Sequence, residues 1–306
     1  MPLRISAIIS DYDGTLCPTG SLKGLNNQIP PDLEKVLWDI SAKIPICILS
    51  TKDFGFLRKR VQFARIASCI MGLEIFELSS LESRGANCDI DLVPNSKNNL
   101  SVNSKNNLNV RDEFSNVISQ YRLLDVNKLV KNSILLKKLS DKIEKEFQEI
   151  SIESKYNYLD GILAAISLDY RQIQKWEHYK TNIEPHILNS IQQFVLSLPN
   201  DLFVQTYSDH PFIDIYSMRL DKGQAIDAIF KLLNLSKEQK VLYLGDSEND
   251  NSAFRKADLS IGIRSDERLK TKLDSDYLIQ FNELRPFLQK LYAEDFVFNR
   301  MSQNIQ

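Results

Sequence analysis

The sequence predicts an α/β fold: a mostly parallel sheet covered by helices on both faces, interrupted by a smaller α+β domain. Three observations point there. Short apolar runs without polar alternation recur at residues 5–10, 44–50, 240–245 and 259–263, as expected of strands buried on both faces. Helical patterns separate these runs, as crossover connections between parallel strands require. Between residues 81 and 216 the order changes to helix, hairpin, helix, hairpin, which fits antiparallel pairing. The flanks, 1–80 and 217–306, therefore read as two halves of one core.

The elements follow in order. After the strand at 5–10, Pro30-Pro31-Asp32 opens a helix through about residue 41, because proline is tolerated in a first helical turn. A second strand spans 44–50, and Asp53 caps a helix carrying Phe56, Leu57, Arg60, Val61 and Ala64. Residues 95–102 and 103–110 read NSKNNLSV and NSKNNLNV, a tandem duplication rich in asparagine. Two polar copies are too few for a solenoid, so a flexible surface insertion near 94–110 is expected. Residues 112–149 predict a long helix with Phe114, Val117, Ile118 and Tyr121 on one face. Strands at 151–157 and 161–168 flank an Asp160-Gly161 turn, a dipeptide that favours hairpins. A helix over about 171–197 and strands at 202–206 and 212–216 complete the insertion. From 219 the alternation returns: a helix from Lys222, the strand at 240–245, a helix from Glu248, the strand at 259–263 and a helix near 282–292.

Composition narrows the function classes. The chain has 306 residues, enough for a full core, and 38 Lys+Arg nearly balance 40 Asp+Glu. No basic excess points to nucleic acid. No segment reaches the roughly 18 apolar residues of a membrane span, and Ser6 and Ser10 break the N-terminal run too early for a signal peptide. A soluble cytoplasmic protein acting on a small molecule is expected, with oligomeric state open. Cys17, Cys47, Cys69 and Cys88 lack a Cys-x-x-Cys spacing and only three histidines occur, which argues against a zinc site or a disulfide scaffold.

The chemistry lies at the strand ends. Asp11-Tyr12-Asp13-Gly14-Thr15 sends two carboxylates, two residues apart, from a buried strand into a glycine turn. One is placed as a nucleophile or metal ligand, the other as a proton donor beside it. Far downstream, Gly245-Asp246-Ser247-Glu248-Asn249-Asp250 ends another apolar strand in an acidic turn. In open α/β sheets reactive groups gather beyond the carboxyl ends of the strands. Asp11/Asp13, Ser50/Thr51, Lys222 and Asp246/Asn249/Asp250 would meet there. Phosphoryl transfer needs such a set: a nucleophile, cations against the phosphate oxygens and a proton donor. Carboxylate-rich surroundings suit magnesium. A calcium loop starting at Asp11 would need a glutamate at its twelfth position, where Leu22 stands.

Taken together, Asp-x-Asp-Gly-Thr after a strand, Ser50 ending the second, the lysine of Asp221-Lys222-Gly223, and Gly-Asp-x-x-Asn-Asp resemble the four motifs of the haloacid dehalogenase superfamily, in order. The resemblance implies a Rossmann-like core with an inserted α+β cap, and a magnesium-dependent phosphatase. Asp11 would attack phosphorus and Asp13 would protonate the leaving oxygen. Ser50, Thr51 and Lys222 would hold the phosphate, and magnesium would sit on Asp11, the Asp13 carbonyl and Asp246. Asn249 and Asp250 would support that set from behind. Relatives often read Ser-Gly-Arg or Thr-Gly-Arg after the second strand, where this chain has Ser50-Thr51-Lys52.

The inserted domain carries a second resemblance. Ile152-Glu153-Ser154-Lys155 and Ser167-Leu168-Asp169-Tyr170-Arg171 resemble the Glu-x-Lys and Tyr-Arg segments of trehalose-phosphate phosphatases, although Asp169 stands where that family commonly has histidine. Gly72-Leu73-Glu74-Ile75 and residues 213–226 are similar as well. The resemblance implies that Glu153, Lys155 and Arg171 bind substrate, and that trehalose 6-phosphate is hydrolysed to trehalose and phosphate. Sucrose 6-phosphate, mannosyl- or glucosyl-3-phosphoglycerate and phosphoglycolate are alternatives, as are a phosphomutase and a non-catalytic sugar-phosphate sensor.

Overall fold

The computed structural model describes residues 2–18, 28–78, 114–119, 126–171, 176–196, 202–265 and 271–299. The duplicated asparagine-rich stretch lies outside them, as does Tyr121. Strand β1 (Leu3–Ser10) runs through the middle of a large sheet, and its side chains alternate between two apolar layers. Ile8 points into one layer, Ala7 and Ile9 into the other. Each fully buried aliphatic side chain of this kind contributes roughly 1.5–3 kcal/mol.

The first layer is covered by α1 (Pro31–Ser41), whose Leu33, Val36, Leu37 and Ile40 form its buried stripe. The chain then enters β2 (Ile46–Leu49), turns through α2 (Phe54–Leu57) and continues in β3 (Ile66–Cys69) and β4 (Glu74–Leu78). Asp53 caps α2 as expected, accepting the Phe56 N–H at 2.8 Å. That helix is only one turn long, however, and Arg60, Val61 and Ala64 lie beyond it in turn and irregular backbone. The chain must reverse there to bring β3 alongside β2 in parallel register.

The expected helix over 112–149 is corrected at its start. Residues 114–119 form β5 (Phe114–Ser119), antiparallel to β4, and the helix α3 (Val126–Glu146) begins later. Apolar spacing of three and four residues does not by itself separate helix from strand over so short a run. The edge of β4 decides, since its backbone groups need partners.

The remaining elements are β6 (Ser151–Tyr156), β7 (Leu163–Asp169), α4 (Trp176–Leu196), β8 (Phe203–Thr206), β9 (Phe212–Tyr216), α5 (Lys222–Leu232), β10 (Lys240–Gly245), α6 (Asn251–Phe254), β11 (Leu259–Arg264), β12 (Tyr277–Gln280), α7 (Phe281–Ala293) and β13 (Val297–Phe298). The large sheet runs β12-β11-β10-β1-β2-β3-β4-β5, with β13 paired to β1. From β12 to β3 every pairing is parallel; β4, β5 and β13 pair antiparallel. The strand order reverses between β1 and β10, so a crevice opens beyond their carboxyl ends. Helices α5 and α6 cover the second apolar layer. Among the described residues no helix is long and apolar enough to cross a membrane.

A second, four-stranded antiparallel sheet has the order β6-β7-β9-β8. One face carries Ile166, Leu168, Ile213 and Ile215 against α3 and α4. The other is polar, because Glu153, Ser167 and Asp214 lie in one cross-strand row and Ser151, Asp169 and Phe212 in the next. The tip of the β6–β7 hairpin is fixed to the large sheet by Glu74 of β4. Its fully buried carboxylate accepts the N–H groups of Tyr158 at 2.6 Å and Leu159 at 3.1 Å. Tyr158 also packs edge-on against Phe54 at 4.9 Å.

Burial pushes Glu74 up from 4.5 to about 7, against the pull of the two N–H groups. The folded state therefore holds this proton more tightly than the unfolded chain. Stability from Glu74 falls as pH rises from about 4.5 to about 7 and is level above it, a change of up to about 3 kcal/mol. Urea titrations across that range should show this slope in the wild type and a flatter one in Glu74→Gln.

Candidate active site

The carboxyl ends of β1 and β10 deliver the acidic residues. Asp11 N–H donates to Leu244 O at 2.9 Å, extending the β1–β10 ladder by one bond and bringing Asp11 beside the turn after β10. Gly14 then turns the chain with φ +79°, and a Cβ there would fall 1.8 Å from Asp246 Oδ2. The glycine is required both for its backbone conformation and for that approach. Thr15 Oγ1 donates to Asp246 Oδ1 at 3.2 Å. Carboxylate oxygens of Asp11, Asp246 and Asp250 lie within 4.8 Å of one another.

Lys222, the first residue of α5, is fully buried between them. Its Nζ is 2.6 Å from Asp250 Oδ1 and 3.0 Å from Asp11 Oδ2. Asp250 is held in turn by Tyr243, whose hydroxyl donates at 2.5 Å, and by the N–H groups of Asp246 and Ser247, both at 3.0 Å. Burial opposes the charge on Lys222, but Asp11 and Asp250 outweigh it and hold the ammonium above its ordinary range. Burial pushes Asp11 up to about 7 despite Lys222. Asp246 is raised well above the usual carboxylate range, first by burial and then by repulsion from Asp11 and Asp250. Three acids thus share one ammonium in a low-dielectric crevice. Their hard oxygen donors fit a divalent cation such as magnesium, which would relieve that repulsion.

Asp13 follows one turn position later, half-exposed at the mouth of a cavity between the two sheets. The floor of the cavity includes Asp11, Asp13, Thr51, Lys52, Asp246 and Asn249; its opposite wall includes Glu153, Lys155, Asp169, Arg171 and Asp214. Ser50 follows β2 directly, buried behind Thr51, and its Oγ accepts the Lys52 N–H at 3.2 Å. Asn249 reaches across, its Nδ2 donating to the Tyr207 hydroxyl at 3.3 Å. Of the residues expected at the site, Asp11, Asp13, Thr51, Asp246, Asn249, Glu153, Lys155 and Arg171 line this cavity, Lys222 and Asp250 are buried behind Asp11, and Ser50 is buried outside the lining. The three expected in the second sheet each have an ionic partner: Glu153 with Lys52 at 2.9 Å, Lys155 with Asp214 at 3.6 Å and Arg171 with Asp169 at 2.7 Å.

Sequence reasoning missed Lys52, Tyr207, His210 and Asp214, all of which line the cavity. Asp214 is buried in its wall and accepts hydrogen bonds from Ser167 Oγ, from Tyr207 at 2.6 Å and from Tyr216 at 3.2 Å. A polar residue between Ile213 and Ile215 on a strand was the available signal, since alternation turns it away from the apolar layer.

The family described as haloacid dehalogenase-like hydrolase matches residues 8–283. No curated protein sequence matches the chain significantly. Among solved structures, the trehalose-6-phosphate phosphatase C-terminal domain of C. albicans is similar in fold, with 15% identity over 95% of this chain and 93% of that one, and a TM-score of 0.62. A haloacid dehalogenase-like hydrolase from Bacteroides thetaiotaomicron superposes with a TM-score of 0.57, at 13% identity over 94% of this chain and 100% of that chain. A trehalose-6-phosphate phosphatase related protein gives 0.56, at 15% identity over 94% of this chain and 98% of that one.

Lys222→Met would strand Asp11 and Asp250 without their shared counter-charge. A loss of about 3–5 kcal/mol in unfolding free energy at pH 8 is expected, the usual cost of breaking a buried ion pair. Denaturant titration checks it.

Proposed function

The chain belongs to the haloacid dehalogenase-like hydrolases, and on that premise we propose that it is a magnesium-dependent phosphomonoester hydrolase working through an aspartyl-phosphate. The observation that carries this reading is the cluster of Asp11, Asp246 and Asp250 oxygens within 4.8 Å, clamped by Lys222. Asp11 Oδ attacks phosphorus, the ester P–O bond breaks, and Asp13 gives its proton to the departing alkoxide oxygen. Water then attacks the aspartyl-phosphate and passes a proton back to Asp13. The bond to Asp11 breaks, inorganic phosphate leaves and the Asp11 carboxylate is restored. Lys222 holds Asp11 in place and balances charge on the phosphate oxygens, with Ser50 and Thr51 on the other side. Asp11, the Asp13 carbonyl and Asp246 would hold magnesium, which supplies positive charge against the phosphate oxygens. Asp250 keeps Lys222 aimed, and Asn249 supports the turn from the Tyr207 side.

In this reading residues 1–80 and 217–306 form the core and 81–216 the cap, with β5 the stretch of the inserted span that joins the core sheet. The cap wall over Asp11 suits a polyhydroxyl leaving group: Glu153, Lys155 and Arg171 offer acceptors and donors from adjacent strands. Trehalose 6-phosphate is the substrate we favour, supported by the sequence resemblance of those cap segments.

Asp11→Asn should abolish phosphate release from a sugar phosphate while the circular dichroism spectrum is unchanged; retained turnover would remove Asp11 as the nucleophile. EDTA should stop the wild-type reaction and added magnesium restore it. Lys155→Ala should reduce kcat/KM for trehalose 6-phosphate at least tenfold more than for p-nitrophenyl phosphate. Equal losses would take the cap residues out of substrate recognition.

A further inference from the structure

Lys52 lies between two acids that face each other across the crevice. Its Nζ is 2.9 Å from both carboxylate oxygens of Glu153 on β6, and 3.8 Å from Asp13 Oδ2 on the turn after β1. The backbone beneath it is fixed, because its N–H donates to Ser50 Oγ at 3.2 Å and its carbonyl accepts the Ile70 N–H at 2.9 Å. Its ammonium also sits 5.0 Å from the centre of the Phe56 ring, and only 14% of the side chain is exposed. The lysine and arginine of the opposite wall pair on their own side of the cavity, Lys155 with Asp214 and Arg171 with Asp169. Among the lysines and arginines lining the cavity in the described residues, Lys52 alone makes an ion pair that spans the two sheets.

We propose that Lys52 is a positioning residue that latches the cap onto the core through Glu153 and thereby sets the Asp13 carboxylate at the reacting ester. The inference rests on the role of Asp13 given above. A long basic side chain is needed here, since it must start at the end of β2 and reach both acids. Withdrawal of Glu153 removes the partner that holds the ammonium beside Asp13, so an open cap leaves Asp13 unset. The opposite rim has its own fastening: Ser208 N–H donates to Glu248 at 2.9 Å and Thr271 Oγ1 to Asp209 at 2.6 Å. Loosening the Lys52 side should therefore transmit strain to that loop, where it can be read.

The experiment compares wild type, Lys52→Met, Lys52→Arg and Glu153→Gln. Two readouts are taken: steady-state phosphate release from trehalose 6-phosphate, and amide hydrogen exchange of residues 151–162 and 207–210. Lys52→Met should lower kcat at least tenfold with KM changed less than threefold, and speed exchange in both segments about tenfold. Lys52→Arg should restore both readouts to within threefold of wild type. Glu153→Gln, whose carboxylate also faces the substrate cavity, is read by exchange alone and should match Lys52→Met. Wild-type exchange in Lys52→Met and Glu153→Gln overturns the latch, whatever happens to kcat. Faster exchange with an unchanged kcat overturns the link to Asp13. If the wild type released no phosphate from any ester, the phosphatase reading would fall, while the exchange data would still decide the latch.

Discussion

One buried cation organises the molecule's acidic centre. Lys222 comes from the start of α5, Asp11 from the end of β1 and Asp250 from the turn after β10, and the three meet only because β1 and β10 are neighbours in the sheet. In a crevice with little solvent their charges interact far more strongly than in water. One ammonium does not neutralise three carboxylates, and burial, joined by the remaining repulsion, raises the affinities of Asp11 and Asp246 for protons. Excess negative charge on hard oxygens is also what gives the crevice its capacity for a divalent cation. The local backbone serves this arrangement: Gly14 lets Asp246 approach, and Tyr243 with two backbone N–H groups holds Asp250.

The second sheet meets this centre through the strand period of two. Its apolar residues face α3 and α4, so every alternate side chain is sent toward the core. Register then places Glu153, Ser167 and Asp214 side by side above the acidic crevice. A one-residue slip in either pairing would exchange that polar row for Ile166 and Ile213, and the apolar packing resists it. The wall is thus held in place by the cost of exposing its opposite face. Glu74 adds a fixed point, since its carboxylate grips two backbone N–H groups at the hairpin tip.

Much of this arrangement is legible in the amino-acid sequence. The apolar runs that end in Asp11, Ser50 and Asp246 are buried on both faces, so they lack alternation and stand out clearly. The capping of α2 by Asp53 and the proline start of α1 were also readable, because both are local. The four-residue strand β3 and the five-residue strand β4 are too short to show a period. The spacing of Phe114, Val117 and Ile118 suits a helical face, yet the unpaired edge of β4 draws this segment into a strand. In the sequence Lys52 stands out only as a departure from Gly-Arg, and its reach to Glu153, 101 positions away, has no local signature.

By itself the amino-acid sequence determined the acidic residues, the lysine and the strands that carry them, because nearest-neighbour patterns govern burial, capping and turns. Tertiary structure decided which charges pair: Lys222 with Asp11 and Asp250, Lys52 with Glu153 and Asp13, Lys155 with Asp214. Ion pairing falls off with distance in space and takes no account of separation along the chain, so only the folded arrangement of strands could fix these partners.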